Sequence, residues 1–273
     1  MSDALVRLER DGDVAEIVFD APPVNQLSPP FVDQLEAAIM GAATARAVVL
    51  TSTVPKIFMA GGDIEFMAKA TVREQESYIR RLAGMFHELE RIEAPTVAGI
   101  DGAALGGGTE ITLACDIRIA ARDAILGLPE ITLGIFPGGG GTHRLPRVVG
   151  HTVALDLMMT GRRIDGEEAY RIGMVSRLAE SGEATAAARA LAAELASGPT
   201  EALRGIKRLG GAAFDTDPLV GYAAESATWG RMRESANAQE GLDAFLERRR
   251  PNFGPPADPE PEAARMRPKS TRR

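Results

Sequence analysis

The chain has 273 residues and a mass of 28.9 kDa, which is typical of one large domain or two unequal ones. Apolar residues make up 45% of it and charged residues 25%, which excludes a wholly disordered or fibrous protein. The net charge of −7 disfavours nucleic-acid binding. The sequence contains no run of about 18 apolar residues, so no membrane span is predicted. Because Cys115 is the only cysteine, an internal disulfide is excluded and a reducing, cytoplasmic compartment is expected.

Short apolar runs alternate with amphipathic stretches, and this pattern predicts an α/β fold. In chain order it first predicts a hairpin of strands 5–10 and 14–19, a helix from Ser28, a strand at 47–51 and a helix capped by Asp63. A helix over about 71–93, a strand at 96–100, a helix at 107–113 and strands at 117–120 and 125–128 follow. The last predicted elements are helices at 186–195, from Pro199 and at 238–248. Apolar residues at helical spacing predict the buried face of the long helix: Ile79, Leu82, Phe86, Leu89 and Ile92.

The pattern changes twice along the chain and predicts three regions. Residues 1–182 are predicted to form the α/β core with the active site, and residues 183–253 a helical C-terminal region. Residues 254–273 contain five prolines, end in a basic stretch and have almost no apolar bulk. A disordered tail is therefore predicted there.

Several familiar catalytic motifs are missing from the sequence. It has no phosphate-binding Gly-Lys-Ser/Thr loop, no dinucleotide fingerprint between a strand and a helix, and no Gly-x-Ser-x-Gly elbow. The three histidines do not have metal-ligand spacing, so no metal site is predicted.

Two glycine-rich segments each lead from a predicted strand into a predicted helix. They are Ala60-Gly61-Gly62-Asp63 and the stretch 102–108. Glycine lets a ligand approach the backbone closely. The first turn of a helix presents free N–H groups, and the helix dipole strengthens their attraction for anions. Two such turns side by side would place two N–H donors on one oxygen and so form an oxyanion hole.

Two glutamates accompany these turns. Glu110 lies in the first turn of the helix that Gly107 opens, and Glu130 follows Pro129 ahead of a Pro-Gly-rich segment. A carboxylate pair beside an oxyanion hole suits acid–base catalysis. Glycine turns are also common without any ligand, and the helix dipole alone favours a glutamate at position 110. Both interpretations stay open at this point, because spacing along the chain does not show which segments meet.

Over residues 12–253, several motifs in the right order resemble the enoyl-CoA hydratase/isomerase, or crotonase, superfamily. The motifs are Pro22-Pro23-Val24-Asn25, the two glycine turns, Leu128-Pro129-Glu130 with the Pro-Gly-rich segment after it, and the stretches 141–147 and 240–246. The resemblance implies a spiral of strand-strand-helix repeats. It also implies a helical C-terminal region that serves oligomerisation, in a homotrimer or a hexamer of two trimers.

The resemblance further implies a reaction. The backbone N–H groups of Gly62 and Gly107 match the hole that binds the thioester carbonyl of an acyl-CoA. Glu110 and Glu130 match paired glutamates that hold one water: Glu110 helps activate it for attack at C3, and Glu130 protonates C2. The presence of both favours a trans-2-enoyl-CoA hydratase, a lyase that forms 3-hydroxyacyl-CoA. Coenzyme A is part of the substrate, and no separate cofactor is implied.

Further substrate contacts are implied around the first turn and after Glu130. They are Lys56, Ala60, Asp63, Ile64, Phe66, Phe136 and Gly138. A solvated surface position for Lys56, and core packing for Ile64, Phe66 and Phe136, stay open as alternatives. Two alternatives remain: an isomerase or another enolate-stabilising acyl-CoA enzyme of the same superfamily, and a non-catalytic acyl-CoA-binding protein. Fatty acid metabolism is the expected setting, whereas acyl chain length, branching and pathway stay open.

Overall fold

A computed structural model describes residues 4–254, and the chain divides into two compact units after Ser197. The predicted boundary, after residue 182, lies before the helix Ala184–Ala196. The observed boundary lies after this helix, because the helix packs on the sheet of the first unit. The predicted disordered tail falls outside the described residues except for Gly254. Within the described part of the chain, no helix combines the length and apolarity needed to span a bilayer.

The first unit contains two sheets, and the chain passes from one to the other several times. The six-stranded sheet has the spatial order β1 (Val6–Asp11), β2 (Val14–Phe19), β3 (Ala47–Ser52), β5 (Thr96–Ile100), β7 (Ile117–Ala121) and β10 (Arg177–Ala179). The four-stranded sheet has the order β4 (Ile57–Met59), β6 (Ala103–Leu105), β8 (Ile125–Gly127) and β9 (Ile164–Asp165). Among these strands, β1 with β2 and β8 with β9 pair antiparallel, and the other pairs are parallel.

Helices connect and cover the strands. Those of the first unit are α1 (Pro29–Ala42), α2 (Ile64–Lys69), α3 (Val72–Arg91), α4 (Gly107–Leu113), α5 (Gly141–Val149), α6 (His151–Thr160), α7 (Gly166–Arg171) and α8 (Ala184–Ala196), with a 3-10 turn at Pro129–Leu133. Those of the second unit are α9 (Thr200–Ala212), α10 (Pro218–Arg233) and α11 (Ala236–Leu246). The predicted α/β class and the helical C-terminal region are thereby confirmed.

The strands form the predicted spiral. The pairs β3–β4, β5–β6 and β7–β8 each give one strand to each sheet, and a helix or 3-10 turn follows each pair. As a result β4, β6 and β8 are parallel neighbours. Their register is nearly level, because Met59 pairs with Ala104 and Ala104 with Leu126. The segments that leave the carboxyl ends of these three strands therefore meet at one edge of the small sheet, where open α/β sheets bind ligands.

The strand predictions were accurate where apolar runs are buried. The run at 96–100 is a strand over its whole predicted length, and all five of its residues are buried. The hairpin of β1 and β2 has the predicted turn, with Asp11 opposite Val14. A strand covered on both faces reads as a continuous apolar run, which explains why this signal was strong.

The buried face of α3 was predicted only in part. Leu82, Phe86 and Leu89 are buried as expected, whereas Tyr78 and Met85 complete the face and Ile79 is half-buried. The helix starts one residue after Thr71, which forms a reciprocal capping box with Glu74. Tyr78 thus places a hydroxyl group inside the core, which the apolar pattern did not indicate.

Several short elements were not predicted. The strands β6, β9 and β10 have three, two and three residues, too few for an alternation of polar and apolar side chains to be visible. Helix α5 begins in a glycine run and contains Pro146. Both features conceal a helix, because glycine and proline are poor helix formers.

Candidate active site

The two glycine turns lie against each other at the edge of the small sheet. Gly61 has φ of +95°, and a Cβ atom on it would lie 3.0 Å from the Leu105 carbonyl oxygen and 3.6 Å from the Gly107 nitrogen. Only glycine combines this backbone conformation with so close an approach. The two turns are therefore in close contact, which the sequence left open and which follows from the adjacency of β4 and β6.

Two backbone N–H groups remain available at this contact. Gly107 is the first residue of α4, so its N–H has no partner within the helix. The Gly62 N–H makes no hydrogen bond to any residue in the described range 4–254. Thr109 fixes the start of α4, because its hydroxyl donates to the carbonyl oxygens of Ala104 at 2.6 Å and Gly127 at 2.9 Å.

Glu110 lies in the first turn of α4, as predicted. It is buried there, with 3% of its surface exposed. Its Oε1 accepts a hydrogen bond of 2.8 Å from the N–H of Gly141. Burial raises the pKa of the Glu110 carboxyl to about 7, and the nearby charge of Glu130 adds to the rise. Hydrogen bonds from the backbone of Gly141 and Gly139 oppose it. Glu110 therefore changes protonation near neutral pH, where a general base or acid works best.

This raised pKa predicts a pH-dependent stability. Between pH 4.5 and about 7 the folded protein keeps the Glu110 proton while the unfolded chain loses it, so stability falls as pH rises. Glu110→Gln removes the ionisation. Its free energy of unfolding relative to wild type is expected to rise by about 3 kcal/mol between pH 4.5 and pH 8. Urea unfolding at a series of pH values measures this, and a difference that stays constant across the series would contradict it.

Glu130 faces the same contact from the 3-10 turn after β8. Its Oε1 lies 3.0 Å from the position that a Cβ on Gly106 would occupy. Its Oε2 is buried and has no hydrogen-bond partner among the described residues. Burial raises the pKa of this carboxyl as well. An unpartnered buried carboxylate oxygen favours the protonated form, in which Glu130 can donate a proton.

Arg144 holds the loop that covers Glu110. This arginine is 8% exposed, donates to the Gly139 carbonyl oxygen at 3.0 Å and pairs with the Glu90 carboxylate at 2.9 Å. The loop it holds leads directly into Gly141 at the start of α5, the hydrogen-bond donor to Glu110. No role was predicted for Arg144, although it lies in the stretch 141–147 that supported the family resemblance.

A groove of about 570 Å³ opens beside the first turn. Five of the predicted site residues line it: Ala60, Gly62, Asp63, Ile64 and Phe66. The Asp63 carboxylate is engaged as the cap of α2, because it accepts from the Phe66 N–H at 2.9 Å. Asp63 therefore contributes to the groove with a carboxylate that is already hydrogen-bonded.

The remaining predicted contacts do not line this groove. Lys56 is exposed at the amino end of β4, where its carbonyl oxygen accepts from the Ala103 N–H at 2.9 Å. Phe136 is 72% exposed on the loop before α5. Gly138 packs against Ile79, and a Cβ atom on it would lie 2.8 Å from an Ile79 methyl carbon. Its backbone therefore lies close to α3.

The sequence as a whole matches a known family. A sequence model described as enoyl-CoA hydratase/isomerase matches residues 9–256. The chain belongs to this family. Among its relatives, human mitochondrial methylglutaconyl-CoA hydratase is 37% identical over 237 residues, which are 84% of this chain and 70% of the relative. A probable enoyl-CoA hydratase of Bacillus subtilis (strain 168) is 37% identical over 256 residues, 91% of this chain and 98% of the relative.

Solved structures of family members share the fold. The enoyl-CoA hydratase of Geobacillus kaustophilus HTA426 superposes with a TM-score of 0.88 and 32% identity, covering 93% of this chain and 97% of the other. That of Bacillus anthracis gives a TM-score of 0.87 and 33% identity, covering 91% and 98%. These relatives support hydratase-type chemistry and the crotonase fold for the family to which this chain belongs.

Proposed function

We propose that this protein is a trans-2-enoyl-CoA hydratase that converts an enoyl thioester into 3-hydroxyacyl-CoA. The observation that carries the proposal is the placement of two carboxyl groups, the buried Glu110 and the half-buried Glu130, around one pair of free backbone N–H groups. The N–H pair suits a thioester oxygen that becomes negative, and the carboxyl pair suits one water molecule. Relatives named as hydratases agree with this chemistry.

In the proposed reaction the thioester carbonyl accepts hydrogen bonds from the N–H groups of Gly62 and Gly107. The Glu110 carboxylate takes a proton from water as the water oxygen bonds to C3. The electron pair of the double bond moves toward C2 and the carbonyl, so negative charge collects on the thioester oxygen. Glu130 then donates its proton to C2. Transfer of one proton from Glu110 to Glu130 restores the pair, which titrates as a unit.

No cofactor besides the coenzyme A of the substrate enters this proposal, because each step is a proton transfer or an addition of water. A cytoplasmic location is part of the proposal as well. It is supported by the single cysteine, Cys115, which is buried and forms no disulfide. Several relatives carry the word mitochondrial in their names, so fractionation of the native host cell decides the compartment.

The first experiment mixes purified protein with crotonyl-CoA and follows the absorbance of the conjugated thioester. We expect the absorbance to fall and mass spectrometry to show the gain of one water. The same assay with a long-chain and a branched enoyl-CoA gives the substrate range. Absorbance that stays constant with all three would overturn the proposal. Formation of 2-enoyl-CoA from a 3-enoyl-CoA would then identify an isomerase, and binding without any turnover a carrier of acyl-CoA.

We also propose that the protein assembles as a homotrimer or a hexamer of two trimers. The helical second unit has no buried side chain on α10 and exposes many large apolar side chains. They include Phe214, Leu219, Val220, Tyr222, Trp229, Phe245 and Leu246. An exposed apolar surface of this kind marks a protein–protein contact. Light scattering is expected to give three or six times the chain mass of 28.9 kDa, and a monomer at micromolar concentration would contradict it.

A further inference from the structure

The hydroxyl group of Tyr78 is buried beneath the first glycine turn. Tyr78 extends from α3, with 7% of its surface exposed, and its ring packs against Phe66 at a centroid distance of 5.2 Å. Its hydroxyl donates a hydrogen bond to the carbonyl oxygen of Leu27. The mechanism described above uses neither Tyr78 nor Leu27, so the reason for a polar group at this depth lies elsewhere.

Leu27 connects the two turns that supply the N–H donors. Its N–H donates to the Gly61 carbonyl oxygen at 2.9 Å, and its backbone forms a parallel bridge with Gly62. Its side chain lies against the second turn, where a Cβ atom on Gly107 would come within 2.5 Å of the Leu27 Cδ1. Any displacement of Leu27 therefore changes the distance between the donors.

The Tyr78 oxygen also faces the residue on the other side of Gly62. Burial and the Asp63 carboxylate raise the pKa of Tyr78 above its usual value, and the backbone N–H of Asp63 opposes the rise. The Leu27 carbonyl oxygen is also the acceptor that the parallel bridge to Gly62 pairs with the N–H of Asp63. The Tyr78 hydroxyl thus lies where the Leu27 segment joins the first glycine turn.

We propose that Tyr78 is a positioning residue whose hydroxyl sets the direction of the Gly62 N–H and its distance from the Gly107 N–H. This inference rests on the proposed function, since it assigns the N–H pair to the thioester oxygen. A useful donor lies about 2.7–3.1 Å from the developing oxyanion. Without the hydroxyl, the Leu27 carbonyl oxygen loses the hydrogen bond from Tyr78, and the Leu27 segment that is paired with Gly61 and Gly62 can shift, which turns the Gly62 N–H away from the substrate.

Tyr78→Phe tests the inference, because it keeps the ring and removes only the hydroxyl. We expect kcat for crotonyl-CoA to fall by about ten- to a hundredfold while KM changes little, since the hole acts mainly on the transition state. The matched control is Tyr170→Phe on α7, where the side chain is 51% exposed. It should retain wild-type kcat. Thermal unfolding of both variants shows that they are folded.

A second measurement reports on the hole without turnover. Butyryl-CoA with a carbon-13 label in its thioester carbonyl cannot be hydrated, and hydrogen bonding lowers its carbonyl stretching frequency. Wild-type protein is expected to lower this frequency on binding, and Tyr78→Phe to lower it clearly less, with free coenzyme A bound equally well by both.

The outcomes separate the two proposals. If Tyr78→Phe shows the full frequency change and wild-type kcat, then the hydroxyl only stabilises the fold and the inference about Tyr78 is overturned, while the hydratase proposal stands. If the wild-type protein itself shows no frequency change, then Gly62 and Gly107 do not bind the carbonyl and both proposals fail.

Discussion

Replacing Glu110 with glutamine is expected to lower the turnover of an enoyl-CoA by about 10²–10⁴-fold, and Glu130→Gln is expected to have an effect of the same order. Glutamine has nearly the same shape but neither accepts nor donates a proton at neutral pH. Because both carboxyl groups act on one water molecule, the double variant should be little worse than either single variant. Initial rates with crotonyl-CoA at saturating concentration measure all three.

The matched control is Glu88→Gln on α3, an exposed glutamate away from the glycine turns. It should turn over at the wild-type rate. The wild-type rate is also expected to depend on pH, because Glu110 has a pKa of about 7 and is coupled to Glu130. Glu110→Gln should lose that dependence near neutrality, because it removes the group that titrates there. Wild-type turnover in either variant would rule out the two-carboxylate mechanism.

Gly108→Ala is expected to destabilise the protein by about 2–3 kcal/mol, the cost of forcing an extra methyl group into a packed interior. A Cβ atom on Gly108 would lie 2.1 Å from the carbonyl oxygen of Met59, at the end of β4. Backbone at a strand end cannot move aside cheaply, so α4 must shift away from the small sheet. That shift would displace Gly107 and Glu110, so turnover should fall as well.

Gly84→Ala provides the control for this substitution. Gly84 lies in the middle of α3, and a Cβ atom there would have no neighbour within 4 Å. Since alanine is a better helix former, Gly84→Ala should raise the free energy of unfolding by about 0.5–1 kcal/mol. Chemical denaturation of both variants provides the comparison. Equal stability of the two would show that the contact between α4 and β4 is looser than the structure indicates.

The pH dependence and the turnover prediction concern the same carboxyl group. The burial that brings the pKa of Glu110 close to 7 also makes its charged form costly in the folded protein. Glu110→Gln is therefore expected to be more stable than wild type above neutral pH and far less active. Such an opposition between stability and activity is usual where a site keeps an ionisable group in the interior.

Local sequence determined a large part of this protein. The strand at 96–100 and the first turn of α4 were predictable, because the run of buried residues and the helix start are local patterns. The cap of α2 by Asp63 was predictable for the same reason. The order of the motifs along the chain was enough to suggest the family and to select Glu110 and Glu130 from the acidic residues.

Only the tertiary structure decided how these parts form a site. The Gly141 N–H that bonds Glu110 is 31 residues away, and Tyr78 reaches Leu27 across 51 residues. Arg144 reaches Glu90 across 54 residues. None of these pairs produces a pattern within a sequence window. They exist because β4, β6 and β8 are neighbours in one sheet, and strands of three residues bury too few side chains to reveal their partners in the sequence.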